Sequence, residues 1–365
     1  MNIAFVLLTY AADAPAGVER TLAALTGGLR RLGHQAVILT AVGDEHADSQ
    51  VIRLRSIHLP SPAREEHLGA ALAQPAPIAH EVRRVLTERN TDVVCWADAA
   101  WGLGHLAPAP PGVRTALKVS VLRTDPLFHQ ALAHEPDAVI TNSPFLRKQA
   151  SMAGIDATRW IPVPNALLTT TQPPEPDQRE ELRRSGPIRI VARAEPHKGI
   201  RELITALPPG LNRRVEVVLA EAGFEYWPGM QDTVLAECTE AARQAPGQVT
   251  ILPALPWRQV PDFLGGAALT IISTTSPETW CNVAAEALSA GTPVIAYAFG
   301  HVPVLTGAAG VMIPPGAPAT ALWEAATDLL GDTAAYHLAA RTAPTRVADH
   351  TPTASASHFL AAVTA

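Results

Sequence analysis

The stretch SPETWCNVAAEALSAGTPVIA, residues 276–296, decides how the second half of this chain folds. Before it, residues 268–273 (ALTIIS) form a short apolar run, which predicts a buried strand ending in a loop. From about Asn282 the stretch is rich in strong helix formers, and a glycine and a proline end the predicted helix. Residues 294–297 are the next predicted strand. This order of strand, loop, helix and strand is typical of a parallel α/β sheet.

The start of this predicted helix is suited to bind a phosphate. Its first backbone NH groups have no partner within the helix, and the helix dipole places partial positive charge there. Glu278 lies just before the helix start. Glu286 lies about one turn inside, where a carboxylate can accept hydrogen bonds from a vicinal diol such as ribose. The spacing alone indicates little, because most charged side chains on helices are solvated surface groups.

In this context the stretch resembles the donor-site motif of glycosyltransferase family 4, the retaining glycosyl transferases of group 1. In that motif two glutamates flank seven residues, and a Gly-Thr-Pro-Val-Ile-Ala segment follows. The resemblance implies an α/β GT-B fold, in which two Rossmann-like, doubly wound parallel-sheet domains face a central cleft. It also implies a set of donor-site residues: Glu278, Thr279, Trp280 and Cys281 at the transferred sugar, Asn282 and Val283 at phosphate, and Glu286 at ribose.

A second stretch, VARAEPHKGIRELITAL at residues 191–207, carries two cations on a loop between a strand and a helix. Arg193 offers a planar fork of donors and Lys198 a compact point charge, so together they suit a diphosphate. The stretch resembles the family's Arg-x4-Lys-Gly diphosphate clamp. We therefore predict that Arg193 and Lys198 stabilise the departing nucleotide.

The N-terminal half opens with a β-α-β pattern. Residues 1–10 (MNIAFVLLTY) predict a strand, and a small-residue loop, an amphipathic helix and a second strand follow. Ala16 and Gly17 resemble the family's Gly-Gly loop with one glycine missing, and we predict that the Gly17 backbone approaches phosphate or sugar. Residues 135–155 and 160–168 resemble the strands that close the family's first domain, with no catalytic role implied.

The chain departs from the family in two places. The family commonly has His, often His-Asp, after the fourth strand of the first domain, where it contacts the transferred sugar. Here Thr124 and Asp125 align with that position, and His129 lies four residues later. Either Thr124 or Asp125 replaces the contact, or the sugar or acceptor does not need it. In residues 297–316, which resemble a Gly-Gly-x-x-Glu loop, Val304 stands at the Glu position.

A chain of 365 residues exceeds the usual size of a single core and predicts two domains. We assign residues 1–168 to an acceptor-binding domain and residues 188–353 to a nucleotide-sugar-binding domain. Residues 169–187 are rich in proline and charge without apolar periodicity, which predicts an exposed linker. Residues 354–365 predict a C-terminal helix, which in the family crosses back to the first domain.

Charge and hydropathy limit the partners. Residues 1–170 carry 15 basic and 15 acidic side chains, whereas a domain that binds lipid surfaces or nucleic acid would be expected to show a basic face. We predict a small, soluble, hydroxylated polar acceptor such as an amino sugar or aminocyclitol, as in antibiotic biosynthesis. No segment is long enough to span a membrane and the start lacks a secretory signal, which predicts a cytoplasmic protein without stable membrane association. The Ala- and Pro-rich composition suits a GC-rich bacterial source.

No metal or cofactor is expected. The three cysteines share no CxxC spacing, the histidines form no HExxH pattern, and Asp98 is not part of a DxD motif. Arg193, Lys198 and the helix dipole would neutralise the leaving diphosphate in place of a metal. The nucleotide-sugar is then a substrate, with UDP slightly preferred, and backbone near Pro253 and Leu255 is expected to contact the base.

The predicted reaction is retaining transfer from a nucleotide-sugar without a protein nucleophile, with Glu278 orienting the sugar. Two alternatives stay open. A nucleotide-sugar epimerase can use the same pair of domains without an acceptor, and a non-catalytic nucleotide-binding homologue would explain the missing His and Glu.

Overall fold

The computed structural model describes residues 1–11, 13, 16–43, 49–97 and 109–365, so Asp98 lies outside the described residues. The chain divides into two compact units. The first comprises Met1–Ala14, Val18–Ala166 and His350–Ala365, and the second comprises Pro15–Gly17 and Leu167–Asp349.

The first unit is built on a parallel sheet of seven described strands in the order β3-β2-β1-β4-β5-β6-β7. Its central strand β1 pairs with β2 and β4, so that Ile3 lies opposite both Ala36 and Val93. The elements are β1 Asn2–Tyr10, α1 Gly17–Arg31, β2 Gln35–Gly43, β3 Val51–Arg53, α2 Glu65–Leu72, α3 Pro75–Glu88, β4 Val93–Trp96, β5 Arg114–Val119, α4 Pro126–Ala133, β6 Ala138–Thr141, α5 Pro144–Met152 and β7 Ile161–Pro162.

The last helix of the chain, α14 (Pro352–Thr364), packs on this first sheet. The ring of Phe359 lies 5.3 Å from that of Phe5, centroid to centroid, and both side chains are fully buried. The Ser355 hydroxyl donates a hydrogen bond of 2.9 Å to the Pro164 carbonyl. Gly28 of α1 leaves room for this helix, because a Cβ there would lie 1.9 Å from the Pro352 carbonyl oxygen.

The second unit has a parallel sheet of six described strands in the order β10-β9-β8-β11-β12-β13. Its described elements are α6 Pro176–Ser185, β8 Ile188–Arg193, α7 Ile200–Thr205, β9 Val215–Ala220, α8 Met230–Gln244, β10 Val249–Leu252, α9 Val260–Gly265, β11 Leu269–Ile272, α10 Asn282–Ser289, β12 Val294–Tyr297, α11 Val302–Thr306, β13 Gly310–Ile313, α12 Ala319–Gly331 and α13 Thr333–Val347. Three neighbouring strands, β8, β11 and β12, end at the same edge of the sheet, where ligands bind in folds of this kind.

The predicted pair of doubly wound parallel sheets is confirmed, and the helix expected from about Asn282 is α10. The segment predicted as a linker, residues 169–187, is mostly exposed or half-buried, and its middle is helical. Residues 176–185 form α6, and its Arg179 is only 4 % exposed. The guanidinium is buried because it finds carbonyl acceptors in the second unit, among them Ala267 at 2.7 Å.

Within the part of the chain that the structure describes, no helix is both long and apolar enough to cross a membrane.

Candidate active site

The residues predicted to bind the diphosphate and the sugar meet at the carboxyl edge of the second sheet. Lys198 follows β8 and Glu278 follows β11, and these two strands pair directly. The Lys198 Nζ lies 2.6 Å from the Glu278 Oε1, and the two side chains are only 16 % and 20 % exposed. Residues 80 positions apart in sequence thus form a half-buried ion pair.

Hydrogen bonds join the loop of Lys198 to the loop of Glu278. The Ser273 hydroxyl donates to the Lys198 carbonyl at 2.7 Å, and the Thr275 NH donates to the His197 carbonyl at 2.8 Å. Gly199 has a φ of +65°, and a Cβ there would lie 2.5 Å from the Ser273 carbonyl oxygen. The close approach of the loops therefore requires glycine at this position.

The charges around Glu278 keep it ionised at neutral pH. Burial acts to raise the pKa of Glu278, but the charge and hydrogen bond of Lys198, together with the charge of Arg193, outweigh burial and hold that pKa below its ordinary value. A carboxylate at this place can accept hydrogen bonds from sugar hydroxyls.

Arg193 is the second cation of the site and is oriented by a buried carboxylate. Its Nη1 lies 2.8 Å from the Oε1 of Glu195, which is 3 % exposed, while the Arg193 side chain is 36 % exposed. The other Glu195 oxygen lies 3.2 Å from the His197 Nε2. Burial, with the charges of Lys198 and Arg193, lowers the pKa of His197 to about 4. Neutral His197 leaves the positive charge of the loop to Arg193 and Lys198.

The lowered pKa of His197 predicts an acid-sensitive fold. The unfolded chain binds this proton near pH 6.5 and the folded chain only near pH 4, so stability is lost as pH falls through that window. The low pKa of Glu278 acts in the same direction at the acid end. We expect His197 to lower the free energy of unfolding by about 2 kcal/mol at pH 5 relative to pH 7.5. Denaturant titrations should show a smaller loss for His197→Asn, and equal losses in both proteins would contradict the assignment.

The N-terminus of α10 begins at a strained residue. Cys281 has a φ of +78°, a region that residues other than glycine rarely adopt. Burial raises the pKa of the Cys281 thiol, so it stays protonated. The Cys281 and Trp280 side chains are 8 % and 4 % exposed and pack in the apolar core. A ligand here would therefore meet mainly their backbone.

The other predicted donor residues of the second unit differ in their exposure. Glu286, on the second turn of α10, is 4 % exposed, and Thr279, Asn282 and Val283 are half-buried. The Asn282 side-chain amide donates to the Gly17 carbonyl at 3.0 Å. The predicted base-contacting residues follow β10, where one is exposed and one half-buried: Pro253 and Leu255.

The two residues aligned with the family histidine lie in the first unit. Thr124 is exposed. Asp125 caps α4 by accepting a hydrogen bond from the Phe128 NH at 3.0 Å, and it forms an ion pair with Arg123. Burial acts to raise the pKa of Asp125, but these partners outweigh it and hold that pKa below its ordinary value. The Asp125 carboxylate is thus committed to the start of a helix.

Sequence reasoning missed His301, which touches the sugar-side loop directly. Its backbone NH donates to the Glu278 carbonyl at 2.8 Å, and its ring stacks on Trp280 with centroids 5.1 Å apart. The signal that could have indicated His301 was its position after β12, because β12 is the neighbour of β11 in the sheet and Glu278 follows β11.

Among the described residues, no group of three His, Cys, Asp or Glu side chains is arranged to hold a metal ion.

Two family models match the chain in sequence. A family model of "Glycosyl transferases group 1" matches residues 177–345, and one of a "Glycosyl transferase 4-like domain" matches residues 16–166. No curated protein matches the chain in sequence.

Three solved structures share the fold over nearly their whole length. Anabaena Alr3699/HepE in complex with UDP and glucose has a TM-score of 0.76 at 18% identity, covering 100% of both chains. Sucrose-phosphate synthase from Thermosynechococcus elongatus has a TM-score of 0.78 at 18% identity, covering 99% of this chain and 97% of that one. AviGT4, a glycosyltransferase involved in avilamycin A biosynthesis, has a TM-score of 0.63 at 18% identity, covering 99% and 96%. The chain belongs to the group 1 glycosyltransferases and has the GT-B fold.

Proposed function

We propose that this glycosyltransferase moves a sugar, with retention of its anomeric configuration, from a nucleotide-diphosphate sugar to a hydroxyl group of a small polar acceptor. The observation that carries this proposal is the half-buried pair of Lys198 and Glu278, with Arg193 at the end of β8, just before the loop of Lys198. A diphosphate needs cations and a sugar needs hydrogen-bond acceptors, and this edge of the sheet offers both side by side.

In the proposed reaction Arg193, Lys198 and the N-terminus of α10 hold the diphosphate. The bond between the anomeric carbon and the diphosphate oxygen breaks while the acceptor oxygen bonds to the same face of that carbon. The acceptor proton passes to a diphosphate oxygen, so no protein nucleophile or metal is required. Glu278 orients the sugar, Glu286 binds ribose, and the Gly17 backbone and residues 279–283 complete the donor contacts. The base is held near residues 253–255.

We assign the donor to the second unit and the acceptor to the first, which is electrically balanced. Thr124 is exposed there and is our candidate for the contact that the family makes through histidine. Asp125 would act by fixing the start of α4 next to Thr124. We place the reaction in the cytoplasm of a bacterium.

Two relatives support the choice of substrates. The HepE structures hold UDP and UDP-glucose, which favours UDP as the nucleotide. AviGT4 takes part in the biosynthesis of avilamycin A, which favours a natural-product acceptor such as an amino sugar or aminocyclitol.

A thermal-shift panel of UDP-, GDP- and ADP-sugars tests the donor half of the proposal. A donor at 100 times its Kd should add about 2.7 kcal/mol to the free energy of unfolding. The anomeric coupling in the NMR spectrum of the product then tests retention, and an inverted product would refute it. Isomerised nucleotide-sugar from donor alone would indicate an epimerase. Nucleotide binding without nucleotide release, with every acceptor and with water, would indicate a non-catalytic homologue.

A further inference from the structure

The loop after β12 contacts the backbone of Glu278. The His301 NH donates to the Glu278 carbonyl at 2.8 Å. Gly300 has a φ of +63°, and a Cβ there would lie 2.1 Å from the Glu278 carbonyl oxygen and 2.7 Å from its nitrogen. Contact this close requires glycine, so the peptide of Glu278 rests directly on the Gly300 backbone.

The His301 ring extends this contact to Trp280. The two rings are nearly parallel, at 21°, with centroids 5.1 Å apart, and the residues are 6 % and 4 % exposed. His301 itself is fixed by α11, because its carbonyl accepts the Leu305 NH at 3.0 Å and Val302 beside it is fully buried. In the family's Gly-Gly-x-x-Glu pattern the second glycine falls at His301. This chain therefore places a ring where that pattern leaves no side chain.

Glu278 is consequently held at two points. Lys198 binds its carboxylate and His301 binds its carbonyl. A bound diphosphate would share the charge of Lys198 and so weaken the first contact. The second contact involves only backbone and a buried stack, and a diphosphate does not compete for it.

We propose that His301, seated on Gly300, is a positioning residue for the donor sugar: it fixes the loop of residues 278–280 in the conformation that binds the transferred sugar. This inference rests on the proposed function, since it takes Glu278 to be the sugar contact. The nucleotide part of the donor depends instead on Arg193, Lys198 and α10.

Titration calorimetry with UDP and with UDP-glucose tests this division. In His301→Ala we expect the affinity for UDP-glucose to fall by about tenfold, as a small misplacement of contact groups can cause, while the affinity for UDP changes less than about twofold. Slow hydrolysis of UDP-glucose by water, followed as UDP release, should fall by about tenfold or more. Both variants keep the backbone NH, and His301→Phe also retains a stacking ring, so it should recover most of both losses.

A matched control is His337→Ala in α13. The His337 Nε2 lies 2.8 Å from the Glu180 carboxylate, and neither residue belongs to the loop of residues 278–280. This variant should leave the ratio of the two affinities unchanged. The inference is overturned if His301→Ala keeps the wild-type ratio, if it weakens UDP and UDP-glucose equally, or if His301→Phe is as impaired as the alanine variant. If the wild type binds neither UDP nor any UDP-sugar of the panel, the proposed donor is refuted, and the proposed role of His301 is refuted with it.

Discussion

Replacing either Arg193 or Lys198 with alanine is expected to reduce turnover of the nucleotide-sugar about a hundredfold or more. Negative charge develops on the diphosphate as its bond to the sugar breaks. Arg193 ends β8 and Lys198 lies on the loop that follows it. Lys198 is only 16 % exposed, so its interactions are weakly screened by solvent. The rate is measured as release of UDP from a saturating UDP-sugar, with water as acceptor until the natural one is identified.

The two variants should differ in a second respect. Lys198→Ala also removes the ammonium 2.6 Å from Glu278. Burial, which raises the pKa of that carboxyl group, is then opposed only by weaker effects such as the charge of Arg193. The residual activity of Lys198→Ala should therefore fall more steeply toward acid pH than that of Arg193→Ala. Lys198→Arg keeps a cation and should retain more activity than alanine.

Arg201→Ala is the matched control for these variants. Arg201 lies on α7, three residues after Lys198, is 54 % exposed and pairs with Glu202 at 3.0 Å on the helix surface. Its removal should leave turnover within about twofold of the wild type, because exposed pairs contribute little. Near-normal turnover in both Arg193→Ala and Lys198→Ala would show that neither residue stabilises the leaving diphosphate.

The sheets were predictable because apolar runs and helix-forming stretches alternate clearly along the chain. Residues 294–297 are the expected strand, and α10 begins at Asn282 as expected. The motifs also placed Lys198 and Glu278 on loops of one domain. Their contact was not predictable from spacing, because it arises from the pairing of β8 with β11, and sheet order brings together residues distant in sequence.

His301 shows a second limit of sequence reasoning. A histidine in a glycine-rich loop carries no periodic signal, and its importance comes from stacking on Trp280 of another loop. The positive φ of Cys281 was equally hidden, because the conformation is imposed by the tight turn into α10 and contradicts the residue's own preference.

The burial of Arg179 in α6 has a physical cause that can be tested. Proline and charge between residues 169 and 187 indicated an exposed linker, since charged side chains are rarely buried without partners. Arg179 is buried because its guanidinium donates to three carbonyl groups, Ala267 at 2.7 Å, Ala290 at 3.0 Å and Gly265 at 3.3 Å. It also lies 3.3 Å from the Thr292 hydroxyl. One side chain thus links α6 to the loops that precede β11 and β12.

Arg179→Ala is expected to destabilise the protein by about 4 kcal/mol, because several buried carbonyl groups lose their donor at once and each unsatisfied group costs about 1–3 kcal/mol. The ammonium of Arg179→Lys cannot reach all of these acceptors, so that variant should fall between alanine and the wild type. Urea titrations followed by circular dichroism and tryptophan fluorescence would measure the loss as a lower midpoint. Arg184→Ala, on the same helix but 67 % exposed, should cost less than about 1 kcal/mol. Equal stability of the Arg179 and Arg184 variants would show that α6 is held by its other contacts and that the buried guanidinium is dispensable.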